Sequence, residues 1–131
     1  MTGVQTCALP ISALAHSPQS AWLVLACDLP FLSDAAVTDL IARRDPSCTA
    51  TAYRSSHDGL PEPLCAIFEP RAAAELAVAQ GSGRSCPRKF LINADTRLLE
   101  PRDTRALDNI NTPEEYASAL AALDGERTLR C

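Results

Sequence analysis

The chain has 131 residues, 47% hydrophobic and 21% charged, the balance of one globular domain. Lys and Arg total 12 against 16 Asp and Glu, a net charge of −4 with no basic block, which argues against a protein held on nucleic acid by phosphate contacts. Aromatic residues make up only 5%, too few for a single-strand stacking platform, and no apolar run approaches the roughly 18 residues of a membrane span.

Residues 1–11 read MTGVQTCALPI, without a charge or a cap, in a pattern that suits neither helix nor strand. They lack the basic n-region of a signal peptide and resemble the translation of a sequencing-adapter oligonucleotide. They are therefore set aside from the fold. The expected domain runs over 12–125, entered partway into a longer protein, with 126–131 as a frayed tail.

Ser17, Pro18, Gln19 and Ser20 form a turn. The run WLVLAC, residues 22–27, is continuously apolar and of strand length, as in a parallel sheet with both faces covered. It stops at Asp28, Leu29 and Pro30. Ser33 then caps a helix with Asp34 in its first turn, Ala36, Val37, Leu40 and Ile41 on one face, and Arg43 and Arg44 at the C-terminal dipole. Residues 48–53 read as a short strand, 54–62 as a loop and 63–68 (PLCAIF) as a second apolar strand. Residues 72–80 read as a helix ending at Gly81. A short helix over 87–92 carries Arg88 and Lys89, and 97–99 reads as a strand. Thr112 at the N-cap, Pro113 at N1 and Glu115 closing a capping box open a last helix to about residue 123, stopped by Gly125. Strands alternating with helices predict a three-layer α/β domain.

The six cysteines (Cys7, Cys27, Cys48, Cys65, Cys86 and Cys131) form no C-x-x-C pair. Cys27, Cys48 and Cys65 lie in apolar, strand-like runs and read as small hydrophobes, which points to reduced thiols and a cytoplasmic setting. His16 and His57 read as solvated loop residues.

Asp28 is the leading site candidate. It ends a predicted buried strand, where open α/β sheets place ligand groups. An Asp there offers hard oxygen ligation to Mg²⁺, which in turn binds phosphate oxygens. Alternatively, it caps backbone N–H groups of its own loop, and local sequence leaves both readings open. A receiver-type phosphoacceptor domain also ends a strand with Asp, but its acidic partners would lie on a strand not found here.

The stretch Ala26, Cys27, Asp28, Leu29, Pro30, Phe31, Leu32 resembles the strand-end metal motif of nucleotidyltransferases of the molybdenum cofactor guanylyltransferase family. Asn109, Ile110, Asn111, Thr112, Pro113, Glu114, Glu115 resembles that family's late N-x-N-T-P-E-E motif, and Pro63 to Phe68 its intervening strand. The resemblance implies a Rossmann-like nucleotidyltransferase fold, of which this chain holds the C-terminal portion. It also implies transfer of GMP from GTP to molybdopterin phosphate with release of pyrophosphate, Mg²⁺ as cofactor, and molybdoenzymes or other cofactor-biosynthesis proteins as partners.

By that resemblance Asp28 takes the Mg²⁺ and GTP position. It screens the triphosphate and steadies the leaving pyrophosphate; the acceptor phosphate is already ionised, so no side-chain base is needed. Asn109 and Asn111 take positions near the pterin, their amides offering both donor and acceptor; Asn111 could instead bond its own backbone. Arg88 and Lys89 are candidates for the phosphates of an anionic cofactor, or a solvated basic face. The loop of Pro61, Glu62 and Pro63 is expected to border the acceptor pocket, with no role assigned to Glu62.

The family's N-terminal Gly-rich, triphosphate-cradling loop is missing. The five glycines, Gly3, Gly59, Gly81, Gly83 and Gly125, are never adjacent. The expectations are poor GTP binding, no turnover by this chain alone, and an exposed edge on the first strand. The competing readings are a cytidylyltransferase, a sugar-phosphate nucleotidyltransferase, and a pterin-binding module without catalysis.

Overall fold

The computed structural model describes residues 10–26, 29–55, 58–83, 86–103, 105–108 and 112–130. Helical turns over 10–16 (α1) lead to strand β1 (Trp22–Leu25). Then follow α2 (Asp34–Ala42), β2 (Ala50–Arg54), β3 (Pro61–Phe68), α3 (Ala72–Gly81), α4 (Pro87–Asn93), β4 (Thr96–Leu99) and α5 (Pro113–Arg130).

The four strands lie in the order β1-β3-β2-β4. β3 runs antiparallel to both β1 and β2, whereas β2 and β4 are parallel. Strand alternation sends Ala50, Ala52, Ala66 and Phe68 to one face, where Leu14 of α1, Ala72 and Leu76 of α3 and Leu91 of α4 close a core. Tyr53, Cys65, Ile67 and Leu99 face the other way, against Leu40 of α2 and Leu107. The result is helix, sheet, helix: the expected three-layer α/β arrangement.

Several details differ from the sequence reading. The run at 22–27 does not sit inside a parallel sheet. Among the described residues β1 is an edge strand paired only with β3, antiparallel, and Leu25 is 43% exposed. A continuous apolar run reports that both faces meet apolar neighbours, as Trp22 and Val24 do on one side and Leu23 on the other. It does not report strand direction or rank in the sheet. β3 begins two residues earlier than expected, at Pro61, because its first pair is with Arg54 across an irregularity where Tyr53 alone faces residues 62–65. Two prolines are tolerated there since the ladder is already broken.

Ser33 caps α2 as expected, accepting from Ala36 N at 3.2 Å, but only Leu40 of the predicted apolar face is fully buried, and Ile41 is exposed. Arg43 and Arg44 lie past the last turn and make ion pairs instead. Cys48 sits in the bend before β2, not in a strand. His16 closes α1, edge-on to Trp22 at 6.5 Å, and is no loop residue. His57 lies outside the described residues.

Pro10 and Ile11, at the end of the segment set aside, belong to α1; Pro10 is buried and Ile11 packs on the Leu14 cluster. The packed chain thus starts before the expected boundary at residue 12. The capping box forms as drawn, Thr112 Oγ1 accepting from Glu115 N at 3.1 Å and Glu115 Oε2 from Thr112 N at 3.2 Å. α5 nevertheless continues through Gly125 and the expected tail to Arg130. Gly125 does not take the positive φ with which a glycine ends a helix.

Candidate functional site

β1, β2 and β4 finish at the end of the sheet where β3 starts. The β1 ladder reaches one residue past Leu25, since Ala26 N donates to Leu64 O at 2.8 Å. The chain therefore leaves β1 beside residues 61–64. Asp28, Asn109 and Asn111, the residues on which the sequence reading rests, lie outside the described residues. Their flanks are described, and they converge. Leu29 and Leu32, which follow Asp28, pack on the cluster that contains Leu107, two residues before Asn109. Phe31 and Arg105 also touch, the guanidinium carbon 5.0 Å from the ring centroid.

The loop joining β2 to β3 closes on itself at the same end. Ser55 N donates to Leu60 O at 2.8 Å, and Gly59 takes φ 72°, a conformation that side chains disfavour. Asp58 Oδ1 accepts from Leu60 N at 3.0 Å. That bond, with the Arg88 guanidinium second, holds the Asp58 carboxyl below the usual carboxylate range.

Arg88 reaches this loop from the first turn of α4. Its Nη1 lies 3.1 Å from Asp58 Oδ2 and its Nη2 3.9 Å from Glu62 Oε2. Glu62 is largely buried, and its Oε1 accepts from Leu64 N at 3.2 Å. Lys89 goes elsewhere. It lines a mostly apolar groove of about 390 Å³ between α3 and α4, with Val78 and Phe90. Consecutive helix residues diverge by about 100°, so two adjacent cations need not share a ligand. The structure places Arg88 at the strand ends and separates Lys89 from it.

A polar cluster not read from the sequence lies on the α2 side. The buried Tyr53 hydroxyl is 2.7 Å from Ala36 O and 2.8 Å from Asp39 Oδ2, sharing its proton between them. Asp39 also accepts from Arg43 Nη1 at 2.9 Å and lies 3.2 Å from Arg102 Nε. The Tyr53 hydrogen bond, ahead of the two arginines, lowers the Asp39 pKa, while burial and the Asp39 charge push the Tyr53 phenol up. Ser33, Pro101 and Ala106 join them around a recess of about 90 Å³. The available signal is the Tyr of the ATAYR strand, whose hydroxyl needs a partner when buried. Among the described residues no three His, Cys, Asp or Glu side chains gather into a metal cluster, and no helix is long and apolar enough to cross a membrane.

Residues 10–100 match the MobA-like NTP transferase domain. The chain belongs to that family. Over 106 residues it is 38% identical to a molybdenum cofactor biosynthesis bifunctional protein of Synechocystis sp., covering 81% of this chain and 30% of that one. Over 111 residues it is 28% identical to a molybdenum cofactor guanylyltransferase of Desulfosudis oleivorans, covering 79% and 54%. The chain thus spans about a third and about half of these relatives' lengths. Among solved structures it superposes on molybdopterin-guanine dinucleotide biosynthesis protein A from Archaeoglobus fulgidus with a TM-score of 0.73 at 24% identity, over 91% of this chain and 63% of that one. A putative protein from Aquifex aeolicus follows at TM-score 0.64 and 16% identity, over 79% and 54%. These two likenesses establish the fold: the four-stranded mixed sheet with flanking helices is that of a MobA-like nucleotidyltransferase. The family match takes in Asp28 and β3, whereas the N-x-N-T-P-E-E stretch lies beyond residue 100.

Proposed function

We propose that this chain supplies the metal and acceptor side of a nucleotidyltransferase that moves GMP from GTP to molybdopterin phosphate and releases pyrophosphate. Family membership supports nucleotidyl transfer, and the names of both curated relatives support molybdenum cofactor biosynthesis. The observation that carries the reading is the convergence of the two motif flanks, Leu29 and Leu32 with Leu107, in one core cluster.

Mg²⁺ fits the donor set, because it takes one or two carboxylates and completes its shell with phosphate and water oxygens; a three-residue cage is not needed. When bound, it screens the triphosphate and stabilises the departing pyrophosphate. Asp28 holds it at the strand end. Asn109 and Asn111 orient the acceptor through paired amide donors and acceptors. Arg88 reaches an acceptor phosphate at the same end of the sheet by exchanging its pairing with Asp58 and Glu62 for the phosphate oxygens. Lys89, which lines the α3–α4 groove, is given no part. The acceptor phosphate arrives ionised, so positioning and charge carry the rate. The setting is cytoplasmic, in keeping with free thiols at Cys48, Cys65 and Cys86. The sequence holds no Gly-rich phosphate loop, so the 131-residue chain by itself turns over no GTP.

The test uses the purified 131-residue protein. Mn²⁺ should bind the wild type and not Asp28→Ala, and molybdopterin should bind the wild type more tightly than Asn111→Ala. Mn²⁺ affinity unchanged in Asp28→Ala refutes the metal role. Pyrophosphate release from GTP by the chain alone refutes its inactivity.

A further inference from the structure

The segment after Asp28 and the segment before Asn109 meet twice, once in the core and once at the surface. Leu29, Leu32 and Leu107 supply the core contact. The Arg105 guanidinium lies 5.0 Å over the Phe31 ring, within the range of an attractive cation–π contact. Hydrogen bonds tie the described residues around Arg105 to one another. Asp103 Oδ1 accepts from Arg105 N at 3.0 Å, Asp103 O accepts from Ala106 N at 3.1 Å, and Arg105 O accepts from Asp108 N at 3.0 Å. Asp103 also lies 3.8 Å from the Arg105 side chain. Burial of the leucines accounts for cohesion between the segments but is non-directional. A planar cation over a ring face adds a fixed lateral position, at the surface of the sheet end that the reaction uses.

Resting on the reading that Asp28 and the asparagine pair serve one substrate, we infer that Arg105 and Phe31 are positioning residues, whose contact locks the segment carrying the metal ligand to the segment carrying the acceptor amides. Neither touches the reacting atoms. Their contribution is a fixed contact between segments 29–32 and 105–108, so that occupying one segment's ligand does not draw the other segment away.

The experiment again uses the 131-residue protein, with unchanged β2 and β3 backbone shifts as the folding control. Phe31→Leu keeps apolar bulk and removes the ring face, and Arg105→Ala removes the cation. Each should raise amide exchange about fivefold in both 29–32 and 105–108, with the double variant no worse than either. Phe31→Trp and Arg105→Lys should keep wild-type protection. Exchange that rises only in the segment bearing the substitution, or effects that add, overturns the inference. Mn²⁺ supplies a second readout that a purely structural role would not move. Mn²⁺ should tighten molybdopterin binding to the wild type but not to Phe31→Leu; the same tightening in that variant also overturns the inference. If Mn²⁺ does not bind the wild type, the Asp28 metal reading fails, and the exchange result still decides the coupling.

Discussion

The carboxylate of Glu69, fully buried where β3 hands over to α3, takes two hydrogen bonds from Arg44, Nε to Oε2 at 3.0 Å and Nη2 to Oε1 at 2.8 Å. It lies at the end of the sheet opposite the proposed site. A buried carboxylate is tolerable only when neutralised and hydrogen-bonded, and here one guanidinium does both. Arg44→Ala should therefore destabilise the fold by about 3 kcal/mol, since it strands a buried charge. The double variant Arg44→Met, Glu69→Gln should lose less than the single one. Urea midpoints measure both, and a single variant within roughly 0.5 kcal/mol of wild type would contradict the argument.

Asp39 carries a pH signature. Its folded pKa is lowered, first by the Tyr53 hydroxyl and then by Arg43 and Arg102. A depressed carboxylate contributes stability that is complete above the unfolded value of about 3.9 and is lost as the pH falls through the folded value. The stability gap between wild type and Asp39→Asn should stay constant from pH 7 to about pH 5 and then shrink as the pH drops. Urea unfolding at each pH reads the gap, and a gap that widens in acid has the wrong sign.

Thiol chemistry should separate two described cysteines. Burial, aided by the charge of Glu62, pushes the Cys65 thiol up to about 12, whereas Cys86 is exposed. Only a thiolate attacks an alkylating reagent. At pH 8 the Cys86 peptide should label within minutes and the Cys65 peptide only after denaturation, as read by mass spectrometry. Comparable native rates would mean that the Cys65 face of the sheet is open.

The cap of α5 should matter locally and little globally. Thr112→Ala removes an N-cap of about 1 kcal/mol. Between residues 112 and 125 only Ala119 is buried, so α5 has little core to report its loss to the rest of the chain. Circular dichroism should show reduced helicity with a nearly unchanged urea midpoint. A large midpoint shift would mean that α5 anchors the fold.

Chemistry that acts over short sequence distances was legible in advance. Ser33 and the Thr112–Glu115 box were read correctly because each cap joins residues only three apart. Apart from α1, the strand and helix segments follow from hydrophobic period, while the strand-end stretch around Asp28 stands out only by its resemblance to a family motif. Arg44 sits at a helix-dipole position by local pattern, yet its partner lies 25 positions away, where no local pattern points. Lys89 follows Arg88 in sequence, but rotation around the helix sends the two side chains to different places.

By itself, then, the order of residues determined most of the strands and helices, α1 excepted, how two of the helices begin, and which stretches resemble family motifs; each depends on neighbours within a turn or two. Only the tertiary structure decided that β3 runs against its neighbours, that Arg88 meets Asp58 and Glu62, that Tyr53 meets Asp39, and that Phe31 lies under Arg105. Strand direction and cross-chain pairing depend on which distant segments close together. That choice is made by burying both faces of the sheet at once, a sum over the whole chain that no local pattern contains.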